Sequence, residues 1–495
     1  MSPSELCIRR PVMTVLLMLS LVVLGIAGFR ELPVAALPRI DFPTIQVNAT
    51  LPGASPESMA SSVAEPLERQ FSTIPGVASM TSTSIQGSTS VILQFDLERD
   101  IDAAALDVQS ALSVAERRLP PEMTDPPSFR KVNPADQPVL LLALASSTLP
   151  LTDVDDYAET VLAPQISQIL GVAQVSVFGQ QKRAVRIEAD PRLAAGRGLS
   201  LTDLRTAVAA ADSNAPIGTL SGQKRNLTLN SPSQLTKADD YRPLVVAFRN
   251  GEPVRLGDVA VIREGAQDEK TASWLDDQRA IILAVFRQPD ANTIDVVDQV
   301  RSHLDTYRSQ MPAAIVLHVT NDRSVSIRNA VADVEFTLMI AAGLVILVIF
   351  AFLKSARATL IPVLALPVSL IATCAVMAPL GYSIDNMSLL AITLATGFVV
   401  DDAIVMLENI VRHIEAGAEP FTAAIAAARE IGFTILSMTV SLVAVFIPVL
   451  FMGGVVGRIF REFAVTISVA ILVSGIVSLT LTPMLGARLL RAESG

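Results

Sequence analysis

The 495-residue chain is 51% hydrophobic with a formal net charge of −10, and its apolar residues gather near the N-terminus and in the last third. That distribution excludes an ordinary soluble domain, and the acidic balance argues against nucleic acid as a partner. The two cysteines, Cys7 and Cys374, fall before and within apolar stretches, so no disulfide framework is expected.

About 20 consecutive apolar residues span a bilayer, and Pro11 to Phe29 is the first such stretch. Its core is longer than that of a signal peptide, and no small-residue cleavage site precedes Arg30-Glu31, so it reads as a retained anchor. Five further spans are expected at 336–353, 358–380, 387–407, 433–453 and 463–486. The intervening insert from Arg30 to Glu335 holds 28 basic and 38 acidic residues, and therefore the whole net charge. If the spans alternate, Arg9, Arg10, Lys354, Arg357, Arg412, Arg429, Arg488 and Arg491 share one side, against Arg458 and Arg461 on the other. Positive flanks stay in the cytoplasm. Both termini are then cytoplasmic, with the insert on the outer side.

Within the insert, a proline-punctuated exit (Pro33 to Pro38) leads to a half-buried strand at Thr44–Leu51. An amphipathic helix over Ser55–Phe71 follows, with Ser55 as N-cap and Pro56 at the first helical position. Two strands around Gly87, a helix over Ile101–Leu119 and a strand at Val139–Ala145 complete a βαββαβ order. The pattern recurs. Ile74-Pro75-Gly76-Val77 is echoed by Ile169-Leu170-Gly171-Val172, each after a helix and before a hairpin ending near Asp96 or Asp190, with Leu201–Ala211 as the next helix. Pro216–Asp258 breaks the rhythm, and the second unit closes with Ala280–Phe286, Thr293–Tyr307 and Ile315–Val319. The expected organisation is a six-span α-helical membrane bundle plus an α+β part made of duplicated βαββαβ, ferredoxin-like units. Its segments are 1–30, the first unit 31–145, the second unit 146–215 and 266–330, an excursion 216–265, and the spans 331–491.

The insert shows no catalytic grouping. His303 and His318 stand alone, and Asp153/Asp155/Asp156 and Asp276/Asp277 lack the glycine and terminal Glu of a calcium loop. Solvated faces are the simpler reading. Among the spans, Pro362, Pro367 and Pro448 loosen their helices, and Glu408–Glu430 is expected to form a helix end, a turn at Gly417 and a short surface helix. No enzyme activity, cofactor or metal is implied.

The informative stretch is Met387–Val411, because Asp401 and Asp402 lie inside an apolar run. A charged side chain at membrane depth costs from ~2.5 kcal/mol upward. Adjacent helical residues diverge by about 100°, so Asp401 lies on the line of Gly397 and Glu408, and Asp402 on that of Phe398, Met406 and Asn409. Gly397 leaves room beside Asp401 for a neighbouring helix or long side chain. Two carboxylates this close in a low dielectric cannot both stay ionised without a cation, and should titrate as one unit. The alternatives are a proton relay, a structural ion pair and a cation site. No Lys or Arg occurs deep in the six spans, which favours the relay, with protons as the coupling ion.

Gly397–Asn409 (GFVVDDAIVMLEN), Leu51–Glu57 (LPGASPE), Arg357–Pro367 (RATLIPVLALP) and Arg461–Thr466 (REFAVT) resemble the resistance-nodulation-division (RND) exporters over essentially the whole chain. The wording ATGFVVDDAIV and LSMTVSLVAVF is closest to a subtype whose pumps combine two related inner-membrane subunits. The resemblance implies that Asp401 and Asp402 translocate protons, with Gly397 and Asn409 supporting their helix. It also implies that the repeated units are periplasmic porter domains, that 216–265 docks towards an outer-membrane channel, and that Phe178 lines a drug pocket. Asp136-Gln137-Pro138-Val139 departs from the family at a second, aromatic pocket position. The implied function is proton-driven export of amphiphilic small molecules from a multi-pass, bacterial inner-membrane protein. It would work as a homo- or heterotrimer with a periplasmic adaptor and an outer-membrane channel. The family has twelve spans, so a missing half or second subunit should supply the aspartates' partner cation, and this chain alone should not pump. The competing readings are a non-transporting assembly or regulatory subunit and a same-fold exporter of lipids or metabolites.

Overall fold

A computed structural model describes residues 3–490, apart from 36, 37, 39–41, 124, 134, 135, 212–218, 223, 224, 229–234, 250, 290 and 354. Ala36 and Leu37 of the proline-rich exit, Pro216 at the start of the excursion, and the flanking cations Lys354 and Arg491 lie outside the described residues. Two compact units emerge. One comprises 1–137, 287–296 and 323–495, and the other 138–286 and 297–322.

The chain begins with α1 (Pro3–Arg9) and α2 (Pro11–Glu31). Next come β1 (Thr44–Thr50), α3 (Pro56–Met59) and α4 (Glu65–Phe71), the two helices joined by one π-turn over Ala60–Ala64. Then follow β2 (Val77–Ile85), β3 (Ser88–Phe95), α5 (Ile101–Ala115) and β4 (Ser128–Val132). Ser55 caps α3 by accepting from the Ser58 backbone N–H at 3.2 Å, and Pro56 needs no such partner. The strands form an antiparallel sheet in the order β2-β3-β1-β4. Alternate residues Ile45, Val47, Val91, Leu93 and Phe95 pack on Met59, Leu67, Phe71, Val108 and Leu112 of the helices. Period-2 strands laid on 3.6-period helices explain that core.

The second unit opens with β5 (Leu140–Ala145), α6 (Leu151–Tyr157), α7 (Ala163–Ser167) and β6 (Val172–Phe178). An insertion then carries β7 (Arg183–Ala189), α8 (Pro191–Gly196), α9 (Leu201–Ala211), β8 (Thr219–Ser221) and β9 (Asn226–Thr228). It continues through α10 (Ala238–Tyr241), β10 (Val245–Arg249), β11 (Glu252–Arg255) and β12 (Ala260–Ala266). The chain returns with β13 (Trp274–Leu275), β14 (Gln278–Arg287), α11 (Thr293–Gln310) and β15 (Val316–Asp322). The sheet runs β13-β14-β5-β15, with β6 also paired to β14.

Two expectations are corrected here. Leu140–Ala145 does not close the first unit: β4 does, and β5 lies between β14 and β15. The composition gives the reason. LLLALA is almost wholly buried, as a central strand covered on both faces should be, whereas SFRKV is mostly exposed, with only Phe129 and Val132 half-buried, as suits an edge. Nor do β6 and β7 form a hairpin. β7 pairs with β12 from Arg183↔Ala266 to Ala189↔Ala260, so the excursion starts at about Arg183 and takes in Leu201–Ala211. Its core is Leu199, Leu204, Tyr241, Val254, Leu256 and Ile262. A turn at Gly179 (φ +74°) followed by a strand looks local in sequence even when the strand's partner lies some 75 residues away.

The last third is α12 (Arg323–Leu353), α13 (Ala356–Met377), α14 (Asn386–Glu415), α15 (Pro420–Leu450) and α16 (Gly454–Leu489). With α2, these make six helices long and apolar enough to cross a membrane among the described residues. The short surface helix expected before the fifth span is absent. After Gly417 (φ +94°), α15 starts at Pro420 and runs unbroken to Leu450. Ala423, Ala424, Ala427 and Ala428 bury themselves with Ile8, Met406 and Ile410, so this polar end is packed by a small-residue stripe rather than set free.

Helix α2 lies directly on α13 because Gly25 and Gly28 have no side chains. A Cβ on Gly25 would strike the Ile371 carbonyl oxygen, and one on Gly28 would come within 2.7 Å of the Cys374 carbonyl oxygen. Gly25→Val should therefore destabilise the bundle by about 1–3 kcal/mol, read as a lower unfolding midpoint in detergent, while Gly343→Ala, with open space at its Cβ, leaves the midpoint in place. Equal midpoints for both variants would refute the close-packing account. On α1, the buried Glu5 carboxylate meets Arg429 at 2.8 Å and Arg9 at 2.9 Å, and the Arg429 hydrogen bond holds it below the usual carboxylate range. A depressed folded-state value contributes stability above the unfolded-state value and loses it as pH falls. The deficit of Glu5→Gln relative to the parent should accordingly be present at neutral pH and shrink on acidification; a deficit constant across that titration would disprove it.

Candidate functional site

The helix carrying the aspartate pair is fixed at its start. Asp385 caps α14, accepting from the backbone N–H groups of Met387 at 2.7 Å and Ser388 at 2.9 Å, while Ser388 Oγ accepts from the Asp385 N–H at 2.9 Å. This reciprocal capping satisfies amide groups that a helix N-terminus otherwise leaves open. From α16, Glu462 accepts from the Ser383 N–H at 2.6 Å, tying the preceding turn to its neighbour.

Along α14 two faces diverge. Ala391, Ala395, Val399, Asp402, Ala403, Met406 and Asn409 are buried, whereas Leu390, Leu394, Gly397, Asp401 and Glu408 are exposed. The buried face meets α16 through small residues: Ala391 and Ala395 pack with Ile467, Ala470 and Ile471, and Ser474 Oγ donates to the Val399 carbonyl at 3.1 Å. Next to Asp402, Ala403 packs with Met18 of α2, Ala365 of α13 and Val477 and Leu481 of α16. Asp402 is 2% exposed, while Asp401, one residue back, looks out of the bundle. Neither makes an ion pair or hydrogen bond among the described residues. The consequence is an uncompensated carboxyl next to an open one, an arrangement whose charge state depends on proton supply.

Gly397 lies on the open face, and a Cβ there would meet nothing within 4 Å. Asn409 faces the other way: its Nδ2 donates to Glu430 of α15 at 3.4 Å, and Glu430 also receives Arg412 at 2.7 Å and His413 at 2.9 Å. This carboxylate-centred cluster ties the C-terminal turns of α14 to α15. Phe178 ends β6 half exposed, beside a cavity of about 200 Å³ lined also by Gly179, Gln180, Lys182 and Asp268. It is a surface aromatic, separate from the sheet's core. His303 is exposed on α11 and stacks on Tyr307 with ring centroids 6.1 Å apart.

Sequence reasoning passed over Ser383, Asp385 and Glu462, which are 2%, 1% and 5% exposed. Glu462 begins a row of buried residues at four-residue intervals on α16: Thr466, Ala470, Ser474, Ser478 and Thr482. That spacing traces one ridge winding across the helix surface, and it was available in the sequence as recurrent Ser and Thr inside an apolar span.

Comparison with known proteins matches residues 3–495 to the AcrB/AcrD/AcrF family. The multidrug resistance protein MdtC of Pectobacterium carotovorum subsp. carotovorum (strain PC1) is 52% identical over 487 residues, 98% of this chain and 48% of that protein. The MdtC proteins of Yersinia enterocolitica (serotype O:8 / biotype 1B) and Escherichia coli O81 (strain ED1a) are each 51% identical over 488 residues, 99% of this chain and 48% of theirs. The chain spans about half the length of the curated relatives it matches.

The two aspartates should respond differently to neutralisation. Removing a buried, unpartnered polar group recovers about 1–3 kcal/mol, so Asp402→Leu should raise the unfolding midpoint, whereas Asp401→Asn, on the exposed face, should stay within about 0.5 kcal/mol of the parent. Thermal unfolding in detergent reads both, and a lower midpoint for Asp402→Leu would contradict the burial argument.

Proposed function

The chain belongs to the AcrB/AcrD/AcrF family of RND transporters, and from that membership we propose that it is the N-terminal half of a proton-driven exporter of drugs or other amphiphilic small molecules. The observation that carries the proposal is Asp402, buried without a counter-ion among the described residues at mid-helix beside the open Asp401. A device driven by a proton gradient needs a group whose charge is costly when unprotonated and reachable from a water path. Asp402 supplies the costly group, and Asp401 beside it opens onto the uncovered face of α14. Asp401, Gly397 and Leu394 share an exposed face. A further six spans, on the same polypeptide or on a related subunit, would cover that face and bring a cation to the pair.

In this reading the protein sits in the inner membrane with the insert in the periplasm. The two sheets, each with its first strand between its last two, are repeated βαββαβ porter units. The β7–β12 excursion is the docking region towards an outer-membrane channel, and a periplasmic adaptor and trimeric assembly complete the machine. Phe178 and the cavity beside it contribute to substrate contact, and no cofactor is required beyond protons. The relatives' name, multidrug resistance protein, supports drugs as cargo.

Expression in a pump-deficient, drug-sensitive host, with and without a matching second half, tests the proposal. Resistance should require both halves and fall to the host's background with Asp402→Asn. Resistance untouched by that substitution would overturn proton coupling through the pair. A chain that supports its partner's resistance equally well with both aspartates changed to Asn would instead be an assembly subunit.

A further inference from the structure

The strongest feature outside the aspartate pair is the carboxyl cluster at the start of α14. We propose that Glu462, Ser383 and Asp385 hold one proton in common, making this end of the helix a second proton-binding position about 25 Å along the axis from Asp402.

Hydrogen-bond counting leads there. Ser383 Oγ lies 2.8 Å from Asp385 Oδ2 and 3.4 Å from Glu462 Oε1, yet a hydroxyl has a single proton to donate. Given to the nearer Asp385, that proton leaves Glu462 with no share of the hydroxyl, and two buried carboxyls this close cannot both stay ionised without a cation. The division of donors agrees. Asp385 receives the Ser383 hydroxyl and two backbone N–H groups, the environment of a stabilised anion, whereas Glu462 receives one N–H from Ser383. No Lys or Arg pairs with either carboxyl among the described residues.

A second observation extends the site inward. Thr466 is fully buried, and its hydroxyl has no hydrogen-bond partner among the described residues. Side chains at i and i+4 stand one above the other, so Thr466 lies one turn along from Glu462 on the same face of α16. Further along the row, Ser474 is bonded to the Val399 carbonyl, one turn before Asp402. Buried hydroxyls on α16 thus occur both beside the Glu462 turn and at the level of Val399, with Ala470 between them.

The titratable and charged groups facing the cluster are Tyr382 in the same turn and Arg461 beside Glu462, with Cys374 of α13 under Ile384. Arg458, one turn earlier on α16, is bonded to the Leu97 carbonyl, and Arg30 and Glu31 at the end of α2 are exposed. Rising pH removes the shared proton, sets two buried anions against each other and loosens the tie between the 383–385 turn and α16. The meaning of this step for transport rests on the proton-coupling reading above, but the site itself does not.

Infrared difference spectroscopy of the full chain in lipid nanodiscs, titrated from acidic to alkaline pH, reads protonated carboxyls without transport. In an Asp401→Asn/Asp402→Asn background a protonated-carboxyl band should persist and titrate, and Glu462→Gln, which keeps the acceptor for the Ser383 N–H, should remove it. Ser383→Ala should move the midpoint by about tenfold in proton affinity, roughly one pH unit, and serves as the second variant if Glu462→Gln fails to fold by circular dichroism. Absence of a titrating band in that background would overturn the proposal, as would a band insensitive to both changes. Drug resistance and this band can each fail alone, so the two readings are separable.

Discussion

A buried carboxyl without a counter-ion among the described residues is the constraint on which this membrane bundle turns. Asp402 is buried next to Ala403, which packs on apolar side chains from α2, α13 and α16, and a carboxyl so enclosed is costly unless a proton neutralises it. The small residues around it follow from that. Ala395, Ala403 and Ala470 allow α14 and α16 to close on each other, and the close approach that excludes water also makes the charge costly. Opening the seam would relieve the penalty.

Polar groups at the two ends of α14 solve different problems. At the C-terminal end, Glu430 is surrounded by Arg412, His413 and Asn409, so its charge is compensated and the contact holds α14 to α15. At the N-terminal end, Asp385 and Glu462 meet no cation among the described residues and are held by a hydroxyl, backbone N–H groups and their contact with each other. One end is therefore a lasting ion pair and the other a place where a proton decides the balance of charge. The helix that carries Asp401 and Asp402 is held firmly at one end and in a proton-dependent way at the other.

Much of the local structure is legible in the chain. Ser55-Pro56 announces the start of a helix and Gly87 a hairpin, and both features stand where those residues put them. The strand partners are harder to read. Sequence reasoning places β5 in the wrong unit and β7 beside the wrong neighbour, because alternation and turn residues report the local backbone and say nothing about which distant strand supplies the hydrogen bonds. The site is half legible: two consecutive aspartates in an apolar span are conspicuous, while Glu462 at the edge of another span looks like an ordinary flanking charge until α16 lays it against Ser383.

By itself, the sequence determined the spans, the helical phase separating Asp401 from Asp402, and the cost of placing either at membrane depth, since length, hydropathy and a step of about 100° per residue are properties of the local chain. Tertiary structure alone decided which aspartate is buried and which faces outward. It also decided where the excursion between β7 and β12 begins, and that Asp385 and Glu462 share one hydroxyl. Burial and pairing depend on which surfaces meet, and residues such as Asp385 and Glu462 are brought together by packing across 76 residues of intervening chain.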